Sequence, residues 1–211
     1  LHSFPTRRSS DLLKDVVQLA NAAAGRPAVL DPTCPFGLKL LVDGQPRPLQ
    51  QQDGCAVAAL TEGDSYTLVI ENRSQEQVGV ALLIDGLNSV GQTLELPSSG
   101  PKWILRAGQS LEVKGWQLDD AVRRAFTVVA SSASVAGRQG ATAQLGLITA
   151  SFYAEAEQSR VGEEVRELPL GTGQGETSSS EVTRVEFHAA ATPAATLVIR
   201  YGVEQPPVIG N

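Results

Sequence analysis

The chain has 211 residues, a formal net charge of −6 and no methionine, which is enough length for one large domain or two small ones with a sizeable buried core. An acidic balance without a basic cluster argues against nucleic acid as a partner and against an anionic membrane surface. No apolar run approaches the roughly 18 residues of a membrane helix, so membrane insertion is not expected.

Residues 1–12, LHSFPTRRSSDL, resemble one translated frame of a short-read sequencing adapter, a match that runs unbroken to Leu12. On that resemblance they are expected to be an artefact outside the fold. The natural chain is expected to start near Leu13, as an open-ended fragment whose upstream sequence is lost. Residues 13–35 read as a helix and a linker. Leu13, Val16, Val17 and Ala20 share a helical face, and Gly25 and Pro27 end the pattern. This helix is either the first element of the domain or, the reading we favour, the last helix of a domain lost upstream. A Pro-rich stretch then leads to Pro35.

From Phe36 the texture changes to short β-type runs between turn residues, and residues 36–205 are expected to form one all-β, two-sheet antiparallel sandwich with one or two short helices. The candidate strands are Phe36–Val42, Cys55–Leu60, Tyr66–Glu71, Val78–Ile84, Lys102–Leu105, Ser110–Trp116, Ala125–Ala130, Leu145–Tyr153, Val182–Ala189 and Thr196–Tyr201. Asp43-Gly44, Asp85-Gly86 and Asn72-Arg73-Ser74 supply turn chemistry. Helical breaks are expected at Leu118–Arg124, where Asp119 and Asp120 suit a first turn, and weakly around Ser132–Gln139. A charged and then Gly/Ser/Thr-rich stretch from 155 to 180 reads as a long exposed loop. Cys34 and Cys55 flank the first predicted hairpin and are either bridged across it or small buried residues.

Several motifs have a chemical and a plain reading. Asp85, Gly86 and Asn88 carry oxygens that suit Ca²⁺, but further acidic ligands at alternating positions are missing, so a tight turn in which Asp85 and Asn88 bond their own backbone is preferred. Gly171-Thr172-Gly173-Gln174-Gly175 is not followed by a helix and reads as loop rather than a phosphate cradle. His188 falls on the polar side of an alternation and lacks a nucleophile elbow. Adjacent carboxylates such as Glu163-Glu164 and Asp119-Asp120 do not define an opposed catalytic pair. With His2 in the adapter-like segment, His188 and two cysteines leave too few ligands for zinc, so neither metal nor cofactor is expected.

Trp103 and Trp116, with Phe126 and Tyr153, are the expected anchors of the sandwich. Their alternative reading is an exposed platform for carbohydrate or peptide. Regular alternation would put Trp116 outside with Glu112 and Lys114, yet a bend at Gly115 would turn it inward under the helix expected from Leu118. Trp116 is therefore expected to be buried.

The block from Tyr66 to Tyr153 carries Asn72-Arg73-Ser74, Asp85-Gly86-Leu87-Asn88, the Trp103 strand, Gly115-Trp116 and Gly146-Leu147-Ile148. It resembles an uncharacterised bacterial β-domain family with a DGxN turn and a Gly-Trp strand end. In that family a glycine stands on each side of the closing isoleucine, where this chain reads Leu145-Gly146-Leu147-Ile148. The block is similar, more loosely, to accessory domains C-terminal to caspase-like peptidase or kinase domains. The resemblance implies a non-enzymatic accessory module that binds a protein partner, a ligand or an upstream domain of the same polypeptide, and it brings no catalytic residues. Candidate binding residues are Trp103, Trp116, Asp85 and Asn88. The alternatives are an assembly subunit that pairs through its edge strands and an enzyme with a carboxylate-based site.

Overall fold

The computed structural model describes residues 28–156 and 185–202. In chain order the strands are β1 (Phe36–Val42), β2 (Gln45–Pro46), β3 (Leu49–Gln52), β4 (Cys55–Ala58), β5 (Ser65–Asn72), β6 (Val78–Ile84), β7 (Leu87–Asn88), β8 (Trp103–Leu105), β9 (Ser110–Val113), β10 (Gly115–Gln117), β11 (Arg123–Thr127), β12 (Leu147–Ala154) and β13 (Ala195–Tyr201). One short helix, α1 (Val135–Arg138), is capped by Ser134, whose Oγ accepts a hydrogen bond from the Gly137 N–H at 2.9 Å.

These strands form two sheets packed face to face, the all-β sandwich that the texture of the sequence predicts. The first sheet runs β10-β11-β5-β1-β2, with β9 sharing the outer edge of β5 with β11. The second runs β3-β4-β13-β12-β6, with β7 and β8 on the far edge of β6. Pairing is antiparallel except for β4 beside β13.

Alternation explains the inner faces. Phe36, Leu38, Leu40 and Val42 on β1 and Tyr66, Leu68 and Ile70 on β5 are buried, in a register that runs from Phe36 opposite Asn72 to Val42 opposite Tyr66. Opposite them stand Val78, Val80, Leu82 and Ile84 of β6 and Ile148, Ala150 and Phe152 of β12. Phe36 and Phe152 stack across the interface with ring centroids 4.5 Å apart, a contact that contributes about 0.5–1.5 kcal/mol beyond its buried area. Strand β6 is buried on both faces. Its outer residues Ala81 and Leu83, with Tyr153, lie under Phe187 and Ala189. Gly79 is what admits this cover, since a Cβ there would stand 2.5 Å from the Phe187 ring.

Several sequence expectations change. Ser110–Trp116 is two strands, because β9 pairs with β5 and β10 pairs with β11. Leu118–Arg124 is not a helix but the connection of the β10–β11 hairpin, in which Asp119 Oδ1 accepts hydrogen bonds from the Ala121 and Val122 N–H groups, both at 2.8 Å. The same side-chain chemistry that starts helices closes turns. Strand β11 accordingly begins at Arg123 rather than Ala125. Phe36–Val42 and Cys55–Leu60 do not form a hairpin, since β1 and β4 lie in different sheets and no disulfide joins Cys34 to Cys55. Of Val182–Ala189, residues 185–189 are described, and they contribute a single bridge, Ala189 to Glu155, instead of a strand. The expected helix at 13–24, Glu163-Glu164 and Gly171–Gly175 lie outside the described residues.

Candidate functional site: the open side of the sandwich

Asp85 adopts a left-handed conformation (φ 53°) at the end of β6, which Asp and Asn tolerate better than most residues. The side chain is buried, and its Oδ1 accepts from the Gly146 N–H at 2.8 Å and the Tyr201 hydroxyl at 2.7 Å. It thereby ties the β6–β7 turn to the start of β12 and the end of β13, instead of bonding its own turn. Burial raises its carboxyl above the ordinary range, while the Tyr201 hydroxyl and the backbone N–H groups oppose the shift. Burial also raises the hydroxyls of Tyr66 and Tyr201.

Asn88 is buried too. Its Oδ1 accepts from the Val90 N–H at 3.0 Å, the local turn expected of it, and its Nδ2 donates to the Pro101 carbonyl at 2.9 Å. Next to it, Ser89 receives the Trp103 indole N–H on Oγ at 2.9 Å. Asp85 and Asn88 thus spend their polar atoms inside the protein, and among the described residues no group of three His, Cys, Asp or Glu side chains gathers to hold a metal ion.

Trp116 is buried, as expected, against Phe126 in an edge-to-face contact at 5.3 Å. The strand is interrupted at Lys114 between β9 and β10, and the residues after Trp116 form the hairpin connection instead of the expected helix. A Cβ at Gly115 would stand 2.0 Å from the Arg124 carbonyl oxygen, so only glycine lets β10 come this close to β11. Phe126 is core, whereas Tyr153 belongs to the outer face of the second sheet. Lys102 stands over the Tyr153 ring at 5.2 Å and donates to the carbonyls of Ser98 and Gly100. Partial burial lowers its ammonium below the usual lysine range, and Glu95 opposes that shift.

Of the four candidates, Trp103 lines the groove described next, and Trp116, Asp85 and Asn88 do not. A groove of about 1450 Å³ runs between β8 and the wall made by β9 and β10, with the 90–101 segment and residues 185–189 as its rims. Trp103, Leu111 and Val113 line it from the inner faces of their strands, and Ile104 lines it from the outer face of β8. Its lining carries Lys102, Arg106, Lys114 and Arg123 against Glu95, Glu112, Asp119, Asp120 and Glu186, with Lys114 3.5 Å from Glu112. One end is closed where Gln117 donates its N–H to the Ser89 carbonyl at 2.8 Å and accepts from the Gly91 N–H at 2.7 Å. The other end is closed by the tight turn from Arg106 to Gln109.

Sequence reasoning singled out Trp103 and missed the groove around it. The groove is lined from separate stretches of chain, 90–107, 109–123 and 185–189, which pattern within any one stretch does not reveal. No family model, curated protein or solved structure matches this chain.

Proposed function

We propose that this chain is a non-enzymatic binding module whose ligand-contacting face is the groove between β8 and the β9–β10 wall. The observation that carries the reading is the opening of the sandwich on this side. Two edge strands from different sheets border one concavity whose lining includes Trp103 and the exposed Val185, and exposed Leu94 and Leu96 belong to the 90–101 segment that also supplies its lining residues Thr93 and Glu95. Exposed apolar groups gathered at a concavity are the mark of an interaction surface. The resemblance to accessory domains points the same way, toward a protein partner or another domain of the same polypeptide. The carboxylate-based enzyme is less well supported, because Asp85 is spent on internal hydrogen bonds and Glu71 and Glu112 are paired with Lys39 and Lys114.

Phage-displayed short peptides and a glycan array serve as probes. Probes selected on the whole chain are expected to shift the Trp103 indole signal and the amide signals of the groove in NMR spectra. They should lose about tenfold or more in affinity, roughly 1.4 kcal/mol, when Glu112→Trp fills the groove, and none when Gln50→Trp alters the exposed β3 edge. Selected probes that map away from the groove overturn the reading.

A further inference from the structure

We infer that residues 185–190 form a displaceable strap on the binding face, seated in a slot that takes an aromatic side chain of a partner protein when the strap lifts. This rests on the binding reading above and adds how that face is regulated.

The slot lies on the outer face of the second sheet. Strand β6 is apolar along its length except at Gly79, whose partner in register on β12 is Tyr153. Phe187 lies over Gly79, and with Ala189 it covers Ala81, Leu83 and Tyr153. A Cβ at position 79 would stand 2.5 Å from the Phe187 ring, so the slot exists because that residue is glycine. Val185, Glu186, Phe187 and Ala189 also line the groove, which puts strap and slot at its border.

What holds the strap is slight beside what holds the sheet. Strand β12 pairs with β6 from Ile148 to Ala154, whereas the strap makes one bridge, Ala189 to Glu155. Around that bridge the Ala156 N–H donates to the His188 carbonyl at 2.7 Å, and the Ala190 N–H donates to the Ala154 carbonyl at 2.9 Å. Among the described residues Val185, Glu186 and Phe187 make no backbone hydrogen bond. The contact of His188 with Glu186, at 3.1 Å, is internal to the strap and ties it to nothing else. Val185, Glu186 and His188 are exposed, so Phe187 and Ala189 are the anchors. A segment with so few buried contacts and backbone bonds opens locally, without unfolding of the sheet beneath it.

The strap is itself the pattern for what replaces it. An extended segment bonded through its backbone to the end of β12, with an aromatic residue over Gly79 and polar neighbours facing water, reproduces the contacts the strap makes. Addition of such a segment to a strand, with a pocket for one side chain, is a common mode of peptide recognition.

The probe is a synthetic peptide of residues 185–190, added to the whole chain and followed by NMR. The peptide should bind Phe187→Ala at least tenfold more tightly than wild type and shift the Ala81 methyl and Tyr153 ring signals. The same peptide carrying Phe187→Ala should not bind, and Gly79→Ala added to the Phe187→Ala chain fills the slot and should abolish binding. In wild type without peptide, the Ala156 and Ala190 amides should exchange at least tenfold faster than those of Leu82 and Ala150. Equal affinity for wild type and Phe187→Ala, or binding that survives Gly79→Ala, overturns the inference. So does exchange at Ala156 and Ala190 as slow as in the sheet, a result that decides the matter even where Phe187→Ala does not fold. Groove probes that still bind wild type after such a failure leave the binding reading standing, whereas peptide bound at the slot without any groove probe keeps the strap and overturns the groove.

Discussion

The far edge of β6 meets the first sheet in two different ways. At the β7 end, Ser89 and Gly91 bond Gln117 directly, Asn88 pins the return of the chain at Pro101, and Trp116, the neighbour of Gln117, packs into the core against Phe126. At the β8 end the chain turns tightly from Arg106 to Gln109 and goes straight into β9, so β8 and β9 part into separate sheets with a groove between them. Glycines in the left-handed region shape both ends, Gly91 where the seam forms and Gly108 where the tight turn sends the chain on. Whether a sandwich closes on its side is thus decided by a few turn residues, while the strands are of the same kind on either side of the difference.

The largest expected effect breaks the sealed end. Trp116→Ala removes the core side chain that neighbours Gln117 and packs against Phe126, and it should cost about 3–5 kcal/mol in urea unfolding, as other large-to-small core truncations do. Wild-type stability for this variant would show that the seam holds without its packing.

Asp85 holds the same end of the sheet from within, and its replacements separate hydrogen bonding from charge. Asp85→Ala leaves the Gly146 N–H and the Tyr201 hydroxyl without their acceptor and should cost about 1–3 kcal/mol. Asp85→Asn keeps an oxygen for both donors and loses the buried charge, so it should be at least as stable as wild type at neutral pH. Because the folded-state carboxyl titrates above its ordinary value of 3.8, its contribution is fully present below that value. The contribution is lost as pH rises through the raised one. Unfolding free energies measured from pH 3 to 7 should show this decline in wild type and not in Asp85→Asn, and an unchanged decline in the variant would assign it to another group.

Phe187 tests the rim of the open side. Phe187→Ala uncovers Ala81, Leu83 and Tyr153 and should cost about 1–2 kcal/mol, on the scale of a partly buried apolar side chain. It should also speed exchange of the β6 amides more than those of β1.

The smallest effect is expected in the groove itself. Glu112→Gln breaks the exposed pair with Lys114 and should change stability by less than about 0.5 kcal/mol, the usual worth of such a pair. A larger loss would mean that the open side is part of the fold's support and not free for a ligand.

Much of the framework was legible from residue order. Strands β1, β5, β6, β12 and β13 were readable because alternation or an unbroken apolar run marks each of them, and β1 and β6 fall where the sequence placed them, residue for residue. The burial of Trp116 followed from Gly115, although the sequence alone suggested a helix above it and not a close β10–β11 contact. Strands β2, β3 and β7 were missed because runs of two to four residues carry too little pattern. At the site, Trp103 was singled out as an aromatic, whereas the internal roles of Asp85 and Asn88 depended on where Gly146, Tyr201 and Pro101 arrive.

By itself, then, the sequence determined the class of the fold, the faces that turn inward and the places where the chain must turn, because period-two alternation and turn chemistry are local properties. Tertiary structure decided which strands pair. It set β1 against β5 instead of the Cys55 strand, divided Ser110–Trp116 between two partners and made a hairpin of the expected helix at Leu118. It also decided that one side of the sandwich seals and the other stays open. Those outcomes depend on backbone hydrogen bonds between residues far apart in the chain, and a backbone N–H carries no mark of the carbonyl it will meet.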